Sequence, residues 1–333
     1  IRGGKQVGTA LRNVVGMLAG QRHLLGVRQR RSIAVGFVGR RDDERLDQRL
    51  QPARGLEQVV RPADVGFEAL ERIATDKSVA ADDRKKYESV LQREVAYCYQ
   101  FSGNEELRTR AEAIYEALIE TDPNNIDALA RLALIKRDAQ DLSEARTLME
   151  AALDEDVQQN PDQHPSQLRW LLCRNLAVLY WQIFEDDRNA PDAPDLLAAA
   201  VELSEQARNA APTDPQRAGA SLNLLYYLAV QHARTGADAK AEIVRRAEAV
   251  LPVVREDDVP LERWDTAKLD TLLHVEATFG TKSAAKKVAA LIAERLKPAL
   301  KADPRATPLE GLRALSEEEQ DFYLFAMEVL AGD

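Results

Sequence analysis

At 333 residues, 45% hydrophobic and only 5% aromatic, the chain is long enough for two ordinary domains. It is equally suited to one solenoid of stacked helix pairs, which lengthens without enlarging a single core. The formal net charge of −10 is unevenly split, since residues 1–61 hold 13 Lys and Arg against 5 Asp and Glu, and the rest hold 32 against 50. Such an acidic body argues against nucleic acid as the ligand of the later residues, because counterion release needs clustered Lys and Arg. No apolar run reaches the roughly 18 residues a membrane helix requires.

Residues 1–66 form a basic Gly/Arg-rich segment, expected to be flexible or irregular. Ten of the sixteen glycines fall there, with twelve arginines and a single lysine. The segment begins at Ile, so it reads as an arm, the remnant of a preceding domain, or an extension from a misplaced start. Val7–Leu18 has a faint resemblance to a secretory h-region, but Arg12 and Asn13 interrupt it and no small-residue cleavage site follows. The expected compartment is therefore the cytoplasm.

From Phe67 to the C-terminus the pattern changes to apolar residues at spacings of three and four, which predicts an all-α domain over 67–333. Breakers recur at Gly103–Asn104, Gly236, Pro260 and Gly280. Taking Pro123, Pro161, Pro212, Pro252 and Pro304 as the ends of successive second helices gives steps of 38, 51, 40 and 52 residues. A unit of that length is one helix pair with its loops. About five antiparallel pairs are predicted, followed by a closing helix within Pro308–Leu330 that presents Phe322, Leu324, Phe325 and Met327. Cys98 and Cys173 lie within apolar helical stretches and are expected to be reduced core residues.

Within Ile126–Asp156, Leu129, Leu132 and Ala133 fill a first helix, while Ala145, Met149 and Ala152 fill a second, with Asp141 opening the turn between them. Small residues at 133, 145 and 152 let two helices approach closely. Cys173, Leu176, Ala177 and Tyr180 repeat this framework, continued by Ala200, Ser204, Ala207 and Pro212. Ala111 and Pro123 keep the twelve-residue interval of Ala200 and Pro212. Leu225, Leu228, Ala229, Gly236 and Ala241 form a fainter copy. This framework resembles the tetratricopeptide repeat over about residues 84–260, with Lys136 standing where that family usually has an aromatic.

The resemblance implies that first helices line a concave side. Their inward positions would then be Asp127, Ala130, Leu134, Arg137 and Asp138; Leu171, Arg174, Val178, Trp181 and Gln182; and Asn223, Tyr226, Val230, Ala233 and Arg234. Arg137, Asp138, Arg174, Trp181, Gln182, Asn223, Tyr226 and Arg234 are the candidate binding residues, since Trp, Tyr and Arg are the types that anchor interfaces. Trp181 also admits a plainer reading, packing on the neighbouring helix.

No catalytic, cofactor or metal motif emerges. His23, His164, His232 and His274 lie in separate units without metal-ligand spacing, and Gly3–Lys5 and Gly36–Gly39 lack the phosphate-cradling patterns. Carboxylate pairs such as Asp82–Asp83, Asp186–Asp187 and Asp257–Asp258 fit helix starts and loops. The leading expectation is a scaffold or adaptor that holds a peptide or protein segment, not an enzyme. Two others stand beside it. One is a ligand-sensing regulator whose basic head touches nucleic acid, a combination known in some bacterial regulators; the other is the accessory part of an enzyme whose catalytic domain precedes Ile1.

Overall fold

A computed structural model describes residues 81–161, 166–256, 259–300 and 312–332. Every regular element among them is helical, and the helices fall into two compact units. The first holds α1 (Ala81–Gln100), α2 (Glu105–Thr121), α3 (Ile126–Asp138) and α4 (Leu142–Gln159). The second holds α5 (Arg169–Asp186), α6 (Ala193–Ala210), α7 (Asp214–Arg234), α8 (Ala237–Arg255), a 3-10 turn (Leu261–Arg263), α9 (Thr266–Phe279), α10 (Lys282–Leu300) and α11 (Glu317–Ala331). The basic segment, its boundary at residue 67 and its suggested nucleic-acid contact lie outside the described residues, as does Pro304.

The elements pack in chain order as five antiparallel pairs and a final helix. In the first unit α1 lies on α2, α2 on α3 and α3 on α4, and α1 also touches α3. In the second, α5 and α6, α7 and α8, and α9 and α10 form the pairs; α6 meets α7, α7 meets α9, and α11 packs on α10 and α9.

Side-chain caps start many of these helices. Asn104 accepts from the Leu107 amide, Asn125 from Ala128, Asp141 from Glu144 and Asp265 from Lys268, and Ser316 with Glu319 closes a capping box at α11. Each cap satisfies an amide that the helix leaves orphaned and contributes about 1 kcal/mol. The α3–α4 turn ends on a left-handed residue, Gln140 at φ 65°, with Asp141 N donating to Lys136 O and Gln140 N to Arg137 O. Those two bonds satisfy carbonyls at the end of α3 and reverse the chain within three residues.

Close approach within pairs rests on the small residues. Ala111, Ala133, Ala145, Ala152, Ala177, Ala200 and Ala207 are all fully buried. Around them sit Tyr115, Leu132, Ile135 and Met149 in the first unit and Leu172, Leu179, Phe184 and Leu228 in the second. Cys98 and Cys173 are buried and unbonded to each other.

Two details differ from the sequence expectation. Pro252 does not end α8, which continues to Arg255. Proline removes one amide donor and crowds the preceding turn, but burial of Leu251 and Val254 holds the last turn in place. In α11, Phe322 and Ala326 point inward, whereas Leu324 and Met327 are exposed, because three- and four-residue spacing puts 322, 325 and 326 on one stripe and 324 and 327 on the other.

Polar contacts hold further helices in place. The Lys136 ammonium, where the repeat pattern has an aromatic, sits among Glu112 (2.8 Å), Glu144 (3.2 Å) and Glu116 (3.9 Å), so α3 is tied to α2 and α4. With its side chain only 17% exposed, this cation substitutes an ionic network for an apolar plug. Arg255 grips the buried Glu276 with both Nε (2.9 Å) and Nη2 (2.6 Å), fixing the end of α8 to α9. Glu276 lies directly over Gly280, where any Cβ would collide with its carboxylate oxygen, which explains the glycine.

Lys136→Met should lower the unfolding free energy by about 1 kcal/mol in urea denaturation of the full chain, with the wild-type advantage shrinking at high salt. Gly280→Ala should displace Glu276 from Arg255 and cost about 1–3 kcal/mol. A thermal midpoint unchanged in Gly280→Ala would contradict the close contact.

Candidate binding surface

In the second unit α5 and α7 each bury a wide apolar face, which aligns their remaining inward residues into one row. Trp181 is 4% exposed. Its indole stacks on Tyr227 (4.9 Å, 22°), meets Tyr226 edge-on (5.2 Å, 68°) and tilts against Phe184 (5.2 Å). Tyr226 in turn meets His274 of α9 edge-on at 5.8 Å, and His274 stacks on Phe325 of α11 at 4.1 Å. A continuous aromatic chain therefore crosses α5, α7, α9 and α11. Such offset and edge contacts each contribute about 0.5–1.5 kcal/mol beyond simple burial.

Charged and polar side chains border this chain. Arg234 donates to the Arg188 carbonyl (2.5 Å) and stands over the Phe184 ring (5.2 Å), while Arg188 pairs with Glu185 (2.6 Å). Burial first, then the charges of Glu185 and Asp270, push the half-buried Tyr226 phenol well above its ordinary range, so it stays a neutral hydrogen-bonding group. Tyr227 is pushed the same way, chiefly by complete burial. Four buried polar atoms in this row, Gln182 Oε1, Glu185 Oε1, Asn223 Nδ2 and Gln231 Oε1, have no hydrogen-bond partner among the described residues.

The eight candidate residues divide between the units. Arg137 and Asp138 belong to the first, at the end of α3, where Arg137 Nε (3.1 Å) and Nη2 (2.8 Å) both donate to Asp138 Oδ1. Farther along the same unit, Arg93 pairs with Asp127 (3.2 Å) and Arg131 stands over Tyr97 (4.6 Å). The other six lie in the second unit. Arg174, Gln182 and Tyr226 are half-buried and Arg234 is exposed, whereas Trp181 and Asn223 are buried. Trp181 packs exactly as its plainer reading would have it, behind Tyr226 and not in front of it.

Glu185, Arg188, Gln231 and His274 were absent from the sequence-based rows. Glu185 follows Gln182 by one helical turn, a signal available from spacing alone. His274 stands 48 residues after Tyr226, close to the 52 that separate Arg174 from Tyr226.

Among the described residues no group of three His, Cys, Asp or Glu side chains is placed to hold a metal, and no helix is long and apolar enough to cross a membrane. The fold and this surface define an all-helical protein of repeated antiparallel pairs that presents an aromatic and polar row. Residues 108–167 match the family model described as tetratricopeptide repeat, so the chain carries such a repeat over most of α2 and all of α3 and α4. No curated protein matches the chain. Tetratricopeptide repeats are in general protein–protein interaction modules and typically non-catalytic.

The two cysteines fit that picture. Burial, then the charge of Glu94, pushes the Cys98 thiol up to about 11, and Cys173 donates to Gln206 Oε1 at 3.8 Å. The native chain should therefore give no reaction with Ellman's reagent at pH 8, and two equivalents after denaturation.

Proposed function

We propose that the chain is a scaffold or adaptor that receives a peptide or protein segment along the first-helix row of α5 and α7. Tyr226, Arg174, Gln182 and Arg234 are the contacting residues, with Trp181 and Asn223 shaping the floor. In the first unit, Arg137 and Asp138 are proposed as a separate polar contact.

The observation that carries this reading is the half-buried Tyr226, held between Trp181 and His274 on the first-helix row. Half-buried Gln182 on α5 and Gln231 on α7 add side-chain amides to this row. An extended peptide carries main-chain donors and acceptors at regular intervals and could satisfy such groups in succession. Tyr226 adds an amphipathic anchor, already held in one rotamer by Trp181 and His274, so little freedom is lost on binding. Arg234, braced by the Arg188 carbonyl and the Phe184 ring, is equally preorganised for an acidic group. Soluble, cytoplasmic placement fits this role and remains part of the proposal.

The test is a displayed-peptide selection on the full chain, followed by affinity measurement of the selected sequence. Tyr226→Ala and Gln182→Ala should each weaken binding about ten-fold or more while circular dichroism stays unchanged. Trp181→Ala serves as the contrasting control: it should lower stability by about 3–5 kcal/mol through a core cavity. Undiminished affinity in Tyr226→Ala, or a selection that yields no binder, would overturn the assignment.

A further inference from the structure

Among the described residues four large hydrophobic side chains are exposed, Val157, Val259, Leu324 and Met327, and the last two share one helix, α11. A helix that closes a row of repeats ordinarily turns a polar face outward, because nothing stacks on it. On α11, steps of four, three and four residues instead align Gln320, Leu324, Met327 and Ala331 into a stripe turned away from the buried Phe322 and Ala326. Leu324 is 53% and Met327 40% exposed. Contiguous exposed apolar side chains with a polar rim mark contact sites.

The rim here is acidic. Glu317, Asp321 and Glu328 are exposed on the flank of Leu324, and with Glu318 and Glu319 they give α11 five carboxylates against no Lys or Arg. Its neighbour α10, on which it packs, is the opposite, with Lys282, Lys286, Lys287, Arg295 and Lys297 against Glu294 alone. Part of that basic charge is used internally. Arg295 donates to the Trp264 and Glu262 carbonyls, and Lys297 pairs with Glu294 at 2.8 Å. Lys282, Lys286 and Lys287 make no ion pair among the described residues, and neither do Glu317, Asp321 and Glu328. Residues 301–311, which join the two helices, lie outside the described residues; Lys301 and Arg305 there balance Asp303 and Glu310, so they leave the contrast unchanged.

From this arrangement we infer that α10 and α11 together form a docking face for a second copy of the chain, in which the Leu324–Met327 stripe is covered and the carboxylates of each α11 face the lysines of the other copy's α10. A two-fold contact is self-complementary, so each pairing it makes is made twice. That is what two adjacent helices of opposite charge offer. A basic partner of another kind would neutralise α11 but set like charge against Lys282, Lys286 and Lys287. An acidic partner would do the reverse, and α11 against α11 alone would bring five carboxylates against five. Only a second copy of α10 and α11 satisfies both signs while removing the apolar stripe from water. The stripe supplies burial at the centre, and the charges around it set register and orientation.

Sedimentation equilibrium of the full chain over about 1–100 μM tests this, with a reversible monomer–dimer equilibrium as the expected result. Leu324→Glu, at an exposed position, should raise the dimer dissociation constant about ten-fold or more while circular dichroism stays unchanged. Lys286→Glu/Lys287→Glu and Asp321→Lys/Glu328→Lys should each weaken self-association, because each sets like charge against like. An equimolar mixture of these two variants should recover a dimer containing one chain of each, which damage to either fold could not produce. A wild-type chain that stays monomeric throughout, leaving the stripe to residues 1–61 or to another basic partner, would overturn the proposal. So would Leu324→Glu that dimerises as wild type does, assembly that grows past two chains, or charge variants that remain monomeric when mixed.

Discussion

Close approach of paired helices is the constraint on which the remaining structure depends. Ala133, Ala145 and Ala152 in the first unit, and Ala177, Ala200 and Ala207 in the second, are fully buried on paired helices, where a longer side chain would push the backbones apart. Once the backbones are that near, larger side chains must fill the spaces beside them, and Leu132, Met149, Leu172 and Leu179 do so. The same constraint orders the inner row. A helix pinned along its alanine face has a fixed rotation about its axis, so the residues on its other side, Arg174, Gln182 and Glu185 on α5 or Tyr226 and Arg234 on α7, are presented at set angles. Packing residues thus determine where the proposed contact residues stand.

Polar groups stabilise this framework by a different logic in each unit. Where Lys136 replaces an aromatic, three carboxylates surround its ammonium and pull its affinity for a proton upward, the hydrogen bond to Glu112 being the largest contribution. Partly exposed, the network is worth less than its geometry suggests, because solvent screens it. The Arg255–Glu276 pair is of another kind, with a carboxylate only 4% exposed and both its oxygens held by one guanidinium. Breaking it would strand a buried charge, a far larger penalty than the pair's net stabilisation. Gly280 is part of that same interaction, and its role is steric: no backbone freedom is being used, since its φ of −91° is open to any residue.

Much of the fold was legible because repeats write their packing into spacing. Ala111, Ala133, Ala145 and Ala152 could be placed in the core from intervals alone. Pro252 misled because a proline reports only a missing donor, and burial of Leu251 and Val254 outweighs that loss. Trp181 was the harder case. Its register is inward, but register does not reveal how near α7 lies, and Tyr226 and Tyr227 cover the indole. Side-chain pairs between elements far apart in sequence, such as His274 with Phe325 or Arg255 with Glu276, leave no periodic trace at all.

The distinction between floor and surface follows from the same geometry. A large aromatic at an inward position does one of two things: it presents a face to a partner, or it braces a neighbour that does. Trp181 braces, because Tyr227, Phe184 and Tyr226 already surround its indole and leave it 4% exposed. Tyr226 keeps part of its ring uncovered while being held on two sides, by Trp181 and by His274. The position of Tyr226 therefore depends on residues from three helices, and through His274 and Phe325 on a fourth. A change in how α11 docks would be felt first at His274, then at Tyr226, two steps along a chain of rings, before it reached Trp181 in the core.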